Sequence, residues 1–224
     1  MRSTVSRGRR RSFARRLLDW YSISGRDLPW RHTRDPYAIL VCEILSHQTQ
    51  LARVIPVYSE ILRRYPTVDA MADASLESIK AVTDPLGYKI RGRWLHAAAL
   101  QVREAGGRFP TTLEGARRLP GVGRYTASAL MSFAYQADVA LVDTNVRRVL
   151  SRHFIGGAGN LSTSKVWVLA ADLIPRRRGH LLNQALMDLG AMVCRARAPA
   201  CARCPVRRSC RYRLGHRPAA MRVS

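Results

Sequence analysis

Three groups of residues in this 224-residue chain have types and spacings that could do chemistry. The first is Leu119-Pro120-Gly121-Val122-Gly123-Arg124-Tyr125-Thr126. Two glycines two apart permit a tight turn that side chains would obstruct. The run Tyr125–Phe133 suits a helix, and a glycine hairpin opening a helix leaves backbone N–H groups to hold a phosphate. The second group is two carboxylates in apolar surroundings. Asp143 ends an apolar run just before the basic Asn145-Val146-Arg147-Arg148, and Glu43 sits inside Val41-Cys42-Glu43-Ile44-Leu45. A carboxyl group inside an apolar helix is costly unless it faces a pocket or a partner, and burial favours its protonated, proton-donating form. A phosphate grip followed by a placed acid suggests chemistry on a nucleic acid. The bland reading is a glycine turn between packed helices, a solvated Asp143 and a Glu43 on a polar helix face. The third group is Cys194, Cys201, Cys204 and Cys210, spaced C-x6-C-x2-C-x5-C. Four thiolates in so short a loop can surround one metal centre, zinc or an iron–sulfur cluster. The fifth cysteine, Cys42, reads as a packed core thiol.

Composition narrows the partner. Lys+Arg is 38 against Asp+Glu 15, a formal charge of +23, which favours a polyanion, with nucleic acid the first candidate. Only Lys80, Lys89 and Lys165 are lysines, so the charge is almost all arginine, which suits bidentate phosphate contacts. No apolar run is long enough for a membrane span, and no apolar core follows the basic N-terminus as in a secretory signal. Four cysteines crowded into one segment are no distributed disulfide framework and point to a reducing compartment. The expected location is cytoplasmic and nucleoid-associated.

The elements that must position these residues read as helices. Apolar spacing predicts helices over Phe13–Tyr21, Tyr37–Gln50, Leu51–Arg64 (with Pro56 near its start or kinking it), Thr67–Met71 and Ser75–Val82. Ser75 is the expected N-cap of the last of these, with Ser78 where a capping box would want Glu. Further helices are expected at Arg91–Ala105, Leu113–Leu119, Tyr125–Phe133, Asn145–Phe154, Ser164–Leu173 and Leu181–Cys194. Residues 156–160 read as a loop. There is no clear alternating strand and no internal repeat, so the fold class is all-α. Residues 1–12 read as a basic flexible arm and 213–224 as a short basic tail.

The hairpin, the Val142-Asp143-Thr144-Asn145-Val146-Arg147-Arg148 stretch and the cysteine spacing together resemble the helix-hairpin-helix DNA glycosylases of the endonuclease III superfamily. The resemblance covers Phe13 to Tyr212. It implies a two-lobed helix-hairpin-helix fold over 13–212, with a central lobe at about 36–140, a second lobe from both ends and a cluster loop at 194–210. It implies that Gly121, Val122, Gly123, Arg124 and Thr126 grip the DNA backbone. It makes the four cysteines ligands of a 4Fe-4S cluster, serving structure and DNA docking, with Arg195, Arg197, Arg203, Arg207, Arg208 and Arg211 offsetting its negative charge. Breaking an N-glycosidic bond needs an activated leaving base and a carboxylate that stabilises the oxocarbenium-like sugar. The resemblance makes Asp143 the stabiliser and Glu43 the proton handler. Bifunctional members carry a lysine where this chain has Tyr125, so a monofunctional enzyme using water is implied. Trp30, Arg31 and Asp188 are implied walls and readers of the flipped base. Gln48 matches a residue that adenine glycosylases insert into the DNA stack, although His47 and Ser46 depart from their usual Gln and Leu. The implied partner is duplex DNA with a mismatched or damaged base, bound by a monomer.

Two substrates compete. The mismatch adenine glycosylases share the Glu43 context, Gln48-Thr49-Gln50 and Asn183-Gln184-Ala185. The cluster-bearing thymine-DNA glycosylases share Pro29-Trp30-Arg31-His32-Thr33-Arg34-Asp35-Pro36-Tyr37, Glu43-Ile44-Leu45 and Tyr125, although Tyr125 also occurs in some adenine glycosylases and does not decide. Too few residues follow Cys210 for the 8-oxoguanine-sensing domain common in the former. The expectation is therefore thymine or uracil opposite guanine, with adenine opposite guanine or 8-oxoguanine as the alternative. An inactive DNA-binding relative is a third reading, opposed by the retention of Glu43 and Asp143.

Overall fold

The computed structural model describes residues 5–157 and 162–215. The expected tail and the loop after Gly156 lie largely outside these. Among the described residues the regular elements are all helical. In chain order they are α1 (Arg7–Ser24), α2 (Pro36–Ser46), α3 (Leu51–Arg64), α4 (Val68–Asp73), α5 (Leu76–Thr83), α6 (Arg91–Glu104), α7 (Leu113–Ala116), α8 (Arg124–Phe133), α9 (Thr144–Leu150), α10 (Thr163–Leu173), α11 (Gly179–Asp188) and α12 (Arg211–Gly215). The chain divides into two compact units, one of residues 27–137 and one built from both ends, up to Arg26 and from Asp138.

The 27–137 unit is organised around α2. Asp35 caps it by accepting from the Tyr37 amide at 3.0 Å, and Pro36 sits in its first turn, where no amide is needed. Every residue from Tyr37 to Leu45 is buried, as befits a helix apolar on all sides. It packs against α3, α6 and α8. Ser75 caps α5 as expected, its Oγ accepting from the Ser78 amide at 3.2 Å. Ser78 then donates its own hydroxyl to the Ser75 carbonyl at 2.8 Å, so it does not close a capping box, whose glutamate would accept from the Ser75 amide.

In the other unit α1 packs on α10 and α11, and α9 on the same two. Its core includes Phe13, Leu17, Leu150, Phe154, Val166, Leu182 and Leu186. The basic arm expected over 1–12 is helix from Arg7 onward. The Arg9 guanidinium donates to the His153 and Ser209 carbonyls at 3.2 and 3.0 Å, and Arg10 pairs with Asp172 at 3.0 Å. Arginines that find carbonyl and carboxylate partners on the core extend the helix rather than fray from it.

Two predicted helices change pitch. Asn145–Phe154 is α9 followed by a π-helical turn, Ser151–Ile155, and Leu181–Cys194 is α11 followed by another, Leu189–Val193. The first of these buries His153, which is 2% exposed between Phe13 and Phe154. Its Nδ1 has no hydrogen-bond partner, and burial, then the Arg9 charge, pushes its imidazole down to about 3. This lies below the unfolded value of about 6.5, so the unfolded chain takes the proton first. The stabilisation is complete above pH ~6.5 and drains as pH falls toward 3. Between pH 7 and 4.5, urea titrations should show wild type losing on the order of 2–3 kcal/mol more than His153→Phe. Parallel acid dependences in the two proteins would remove His153 as the cause.

Candidate nucleic-acid site and cysteine cavity

In the 27–137 unit the hairpin has the geometry its glycines permit. Gly121 has φ +76, and a Cβ there would lie 2.7 Å from the Trp94 ring. Left-handed backbone and an indole face together exclude other residues. The Val122 amide closes the turn on the Leu119 carbonyl at 3.1 Å, and Val122 itself is buried. Gly123 is the N-cap of α8 and supplies no side-chain cap, while Arg124 and Gly123 are exposed. Thr126 is buried, 3.3 Å by its Oγ1 from His47 Nε2. Burial, and next the Arg91 charge, holds the His47 imidazole below its ordinary value.

The remaining candidates of this unit lie on elements that pack on α2. Glu43 is 8% exposed within the buried run of that helix. Just beyond its end, Gln48 is exposed and has φ +54. Tyr125, half-buried, is the second residue of α8, which packs on α2. Trp30 and Arg31 lie on a short 3-10 turn, Pro29–Arg31, that also packs on α2. The Trp30 ring meets Tyr58 edge-on, centroids 5.3 Å apart. Cys42 is buried and has its thiol pushed up by that burial, consistent with a core residue.

Asp143 and the cysteines belong to the other unit. Asp143 caps α9: Oδ1 accepts from the Val146 amide at 2.6 Å and Oδ2 from Asn145 Nδ2 at 2.9 Å. Asn145 Oδ1 accepts from Arg148 Nη2 at 2.7 Å, and Arg148 also donates to the carbonyls of Cys194 and Gly190, both at 2.8 Å. A hydrogen-bonded chain thus links the carboxylate to the first cysteine's backbone. Gly190 makes room for it, since a Cβ there would sit 2.6 Å from Asn145 Cβ. Asp188 is fully buried, and both its oxygens accept from Arg26, whose amide and Nε donate at 2.8 Å. That pairing ties the segment after α1 to the end of α11.

Cys194, Cys201, Cys204 and Cys210 line one cavity together with Arg152, Arg207, Tyr212 and Arg213. Arg152 Nη1 lies 3.6 Å from the Cys194 sulfur, its guanidinium donates to the Arg195 and Ala196 carbonyls, and it sits over the Tyr212 ring. Burial pushes the Cys204 thiol up to about 12 and raises Cys210 as well. Such thiols keep their protons unless a metal centre displaces them. Among the described residues no group of three or more His, Cys, Asp or Glu side chains is placed to hold a metal ion. Arg152 is not legible in the sequence as a cavity residue because it lies more than forty positions upstream of Cys194; Arg91, Trp94 and Arg148 escape for the same reason, each meeting a partner distant in sequence, whereas Asn145 meets Asp143 only two positions away.

Residues 41–166, the hairpin and Asp143 included, match the HhH-GPD superfamily base excision DNA repair proteins. The chain belongs to that superfamily. Within it, the chain is 42% identical over 215 residues to the human adenine DNA glycosylase, covering 90% of this chain and 39% of that protein. It is 35% identical over 218 residues to the thymine-DNA glycosylase of Aeropyrum pernix, covering 93% of this chain and 97% of that one. Its structure superimposes on that of a thermostable thymine-DNA glycosylase with a TM-score of 0.87, at 33% identity over 93% of this chain and 98% of the other. The HhH-GPD fold expected from the sequence is therefore present. The chain spans about two-fifths of the human relative's length. No helix among the described residues is long and apolar enough to cross a membrane.

Proposed function

We propose that this chain is a monofunctional DNA N-glycosylase that hydrolyses the bond between deoxyribose and a flipped thymine or uracil opposite guanine. The superposition on a thymine-DNA glycosylase, at a TM-score of 0.87, carries this reading. The hairpin amides and Arg124 hold the phosphate backbone without reading sequence. Gln48 enters the base stack as the target leaves it. Asp143 stabilises the positive charge that develops on the sugar, and Glu43 handles the proton of the attacking water or the departing base. Tyr125 supplies no amine, so the product is an intact abasic strand. The 42% identity to a human adenine DNA glycosylase favours a second reading, adenine opposite guanine or 8-oxoguanine. Duplexes containing G·T, G·U, G·A and 8-oxoguanine·A, each assayed with and without alkali, separate the two. Release from G·T and G·U but neither adenine pair is the expected result; release from the adenine pairs alone overturns it.

We also propose that the four cysteines hold a 4Fe-4S cluster. The chemistry of the donor set fits a cluster, although the thiols are not grouped to hold a single metal ion: all four line one cavity, with the Arg152 guanidinium beside one of them and Arg207 and Arg213 on its wall to offset a net anionic centre. When bound, the cluster cross-links the loop and takes no part in bond breaking. Anaerobically purified protein should be brown, with about four irons and four labile sulfides per chain. One zinc per chain and no sulfide would replace the cluster with a zinc site.

A further inference from the structure

The turn that carries Gln48 is held by a buried charge. Gln48 is exposed and left-handed, a conformation uncommon for a residue with a side chain and one that persists only where neighbours enforce it. The enforcing group is Arg91, the first residue of α6, which is 0% exposed. Its Nη2 donates both to the His47 carbonyl and to Thr49 Oγ1, the residues on either side of Gln48. Thr49 Oγ1 in turn donates to the same carbonyl at 3.2 Å. Arg91 Nε and Nη1 have no hydrogen-bond partner, and the guanidinium lies 5.5 Å from the Tyr88 ring centroid. Burying a guanidinium with two unmet donors is costly. What it secures is the backbone of residues 47–49. The His47 side chain anchors the same turn to Thr126 behind the hairpin.

We infer that Arg91 is a positioning residue for base opening: it locks residues 47–49 in the left-handed turn that projects Gln48 toward DNA. This rests on the reading of Gln48 as the residue that enters the stack. With Arg91 replaced, the turn relaxes to negative φ and the Gln48 side chain leaves its direction of approach. Opening of the target pair slows, while affinity for undamaged duplex, set by the hairpin and the arginine-rich surface, stays the same.

A double-mutant cycle tests this, because residues that act through one another are non-additive. Wild type, Gln48→Ala, Arg91→Met and the double variant are compared on duplexes with 2-aminopurine beside a G·T or 8-oxoguanine·A pair. Stopped-flow fluorescence reads opening, and anisotropy reads affinity for fully paired duplex. Each single variant should open the pair roughly tenfold to a hundredfold more slowly. The double should be no slower than the slower single, and Arg91→Met should change affinity for fully paired duplex by less than about twofold. Thr49→Val, which removes one acceptor of Arg91 and leaves the guanidinium in place, repeats the cycle should Arg91→Met not fold. Wild-type opening by Gln48→Ala overturns the underlying reading of Gln48. Slow opening by Gln48→Ala, multiplied in full by Arg91→Met or Thr49→Val, overturns the positioning role and leaves Gln48 its own.

Discussion

Asp143→Asn is expected to cut base release by roughly 10²–10³ or more, in single-turnover assays, while the protein folds and binds duplex as before. The geometry makes this substitution unusually informative, because Asp143 has a second occupation as the N-cap of α9. Asn caps as well as Asp, so the Val146 amide keeps its acceptor. The cost falls on the other oxygen. Asn145 presents its NH2 group there, and its own Oδ1 is already held by Arg148, so it does not turn over without losing that bond. One hydrogen bond is lost, about 1 kcal/mol, or a fall in Tm of about 2–4 °C. Asp143→Ala loses the cap as well and should melt lower still. If Asp143 matters only as a cap, Asp143→Asn remains active and Asp143→Ala does not. If its charge stabilises the sugar cation, both are inactive and only their melting temperatures differ. Retention of more than about a tenth of wild-type activity by Asp143→Asn would defeat the catalytic assignment.

How much of this was legible beforehand follows the range of each interaction. Short-range determinants could be read directly. The Ser75 cap, the helical run from Tyr37 and the Gly121 turn are decided by residues within a few positions of one another. The π-helical turns at 151–155 and 189–193 could not be read, since their periodicity differs from an α-helix by one extra residue and the cause is tertiary. Gly190 illustrates this: it looks like an ordinary helix-weakening glycine until Asn145 is found 2.6 Å from where its Cβ would be. Residues 1–12 read as an arm because a run of like charges normally repels itself; the acceptors that hold Arg9 and Arg10, at Asp172, His153 and Ser209, lie far along the chain. The pairing of Asp188 is hidden in the same way, its partner Arg26 lying on the segment after α1. The burial of Glu43 is legible because an acid in an apolar run is an anomaly visible locally, and the residue is 8% exposed.

Glu43→Gln carries the second large effect, and its size reports which base leaves. Gln is nearly isosteric, so the buried run from Tyr37 to Leu45 should repack without strain. The chemistry differs between the two candidate substrates. Adenine departs readily only once a ring nitrogen is protonated, so loss of the proton donor should be nearly total. Thymine and uracil can leave as anions, and the carboxylate then serves mainly to orient and deprotonate water. General acid–base groups contribute about 10²–10⁴. With thymine or uracil opposite guanine as substrate, the expected loss is partial, near the lower end, about 10². A loss at or beyond the upper end would favour adenine and reverse the preferred substrate. Tyr125 completes the test of mechanism. Wild type should leave an abasic strand that is cut only by later alkali or heat, because water is the nucleophile. Tyr125→Lys should place an amine at the start of α8, add strand cleavage, and form an adduct that borohydride traps. Trapping of the wild-type protein at a rate matching base release would show an amine attack already in place. The monofunctional assignment would then fall, and Lys80, Lys89, Lys165 and the N-terminal amine would become the groups to substitute.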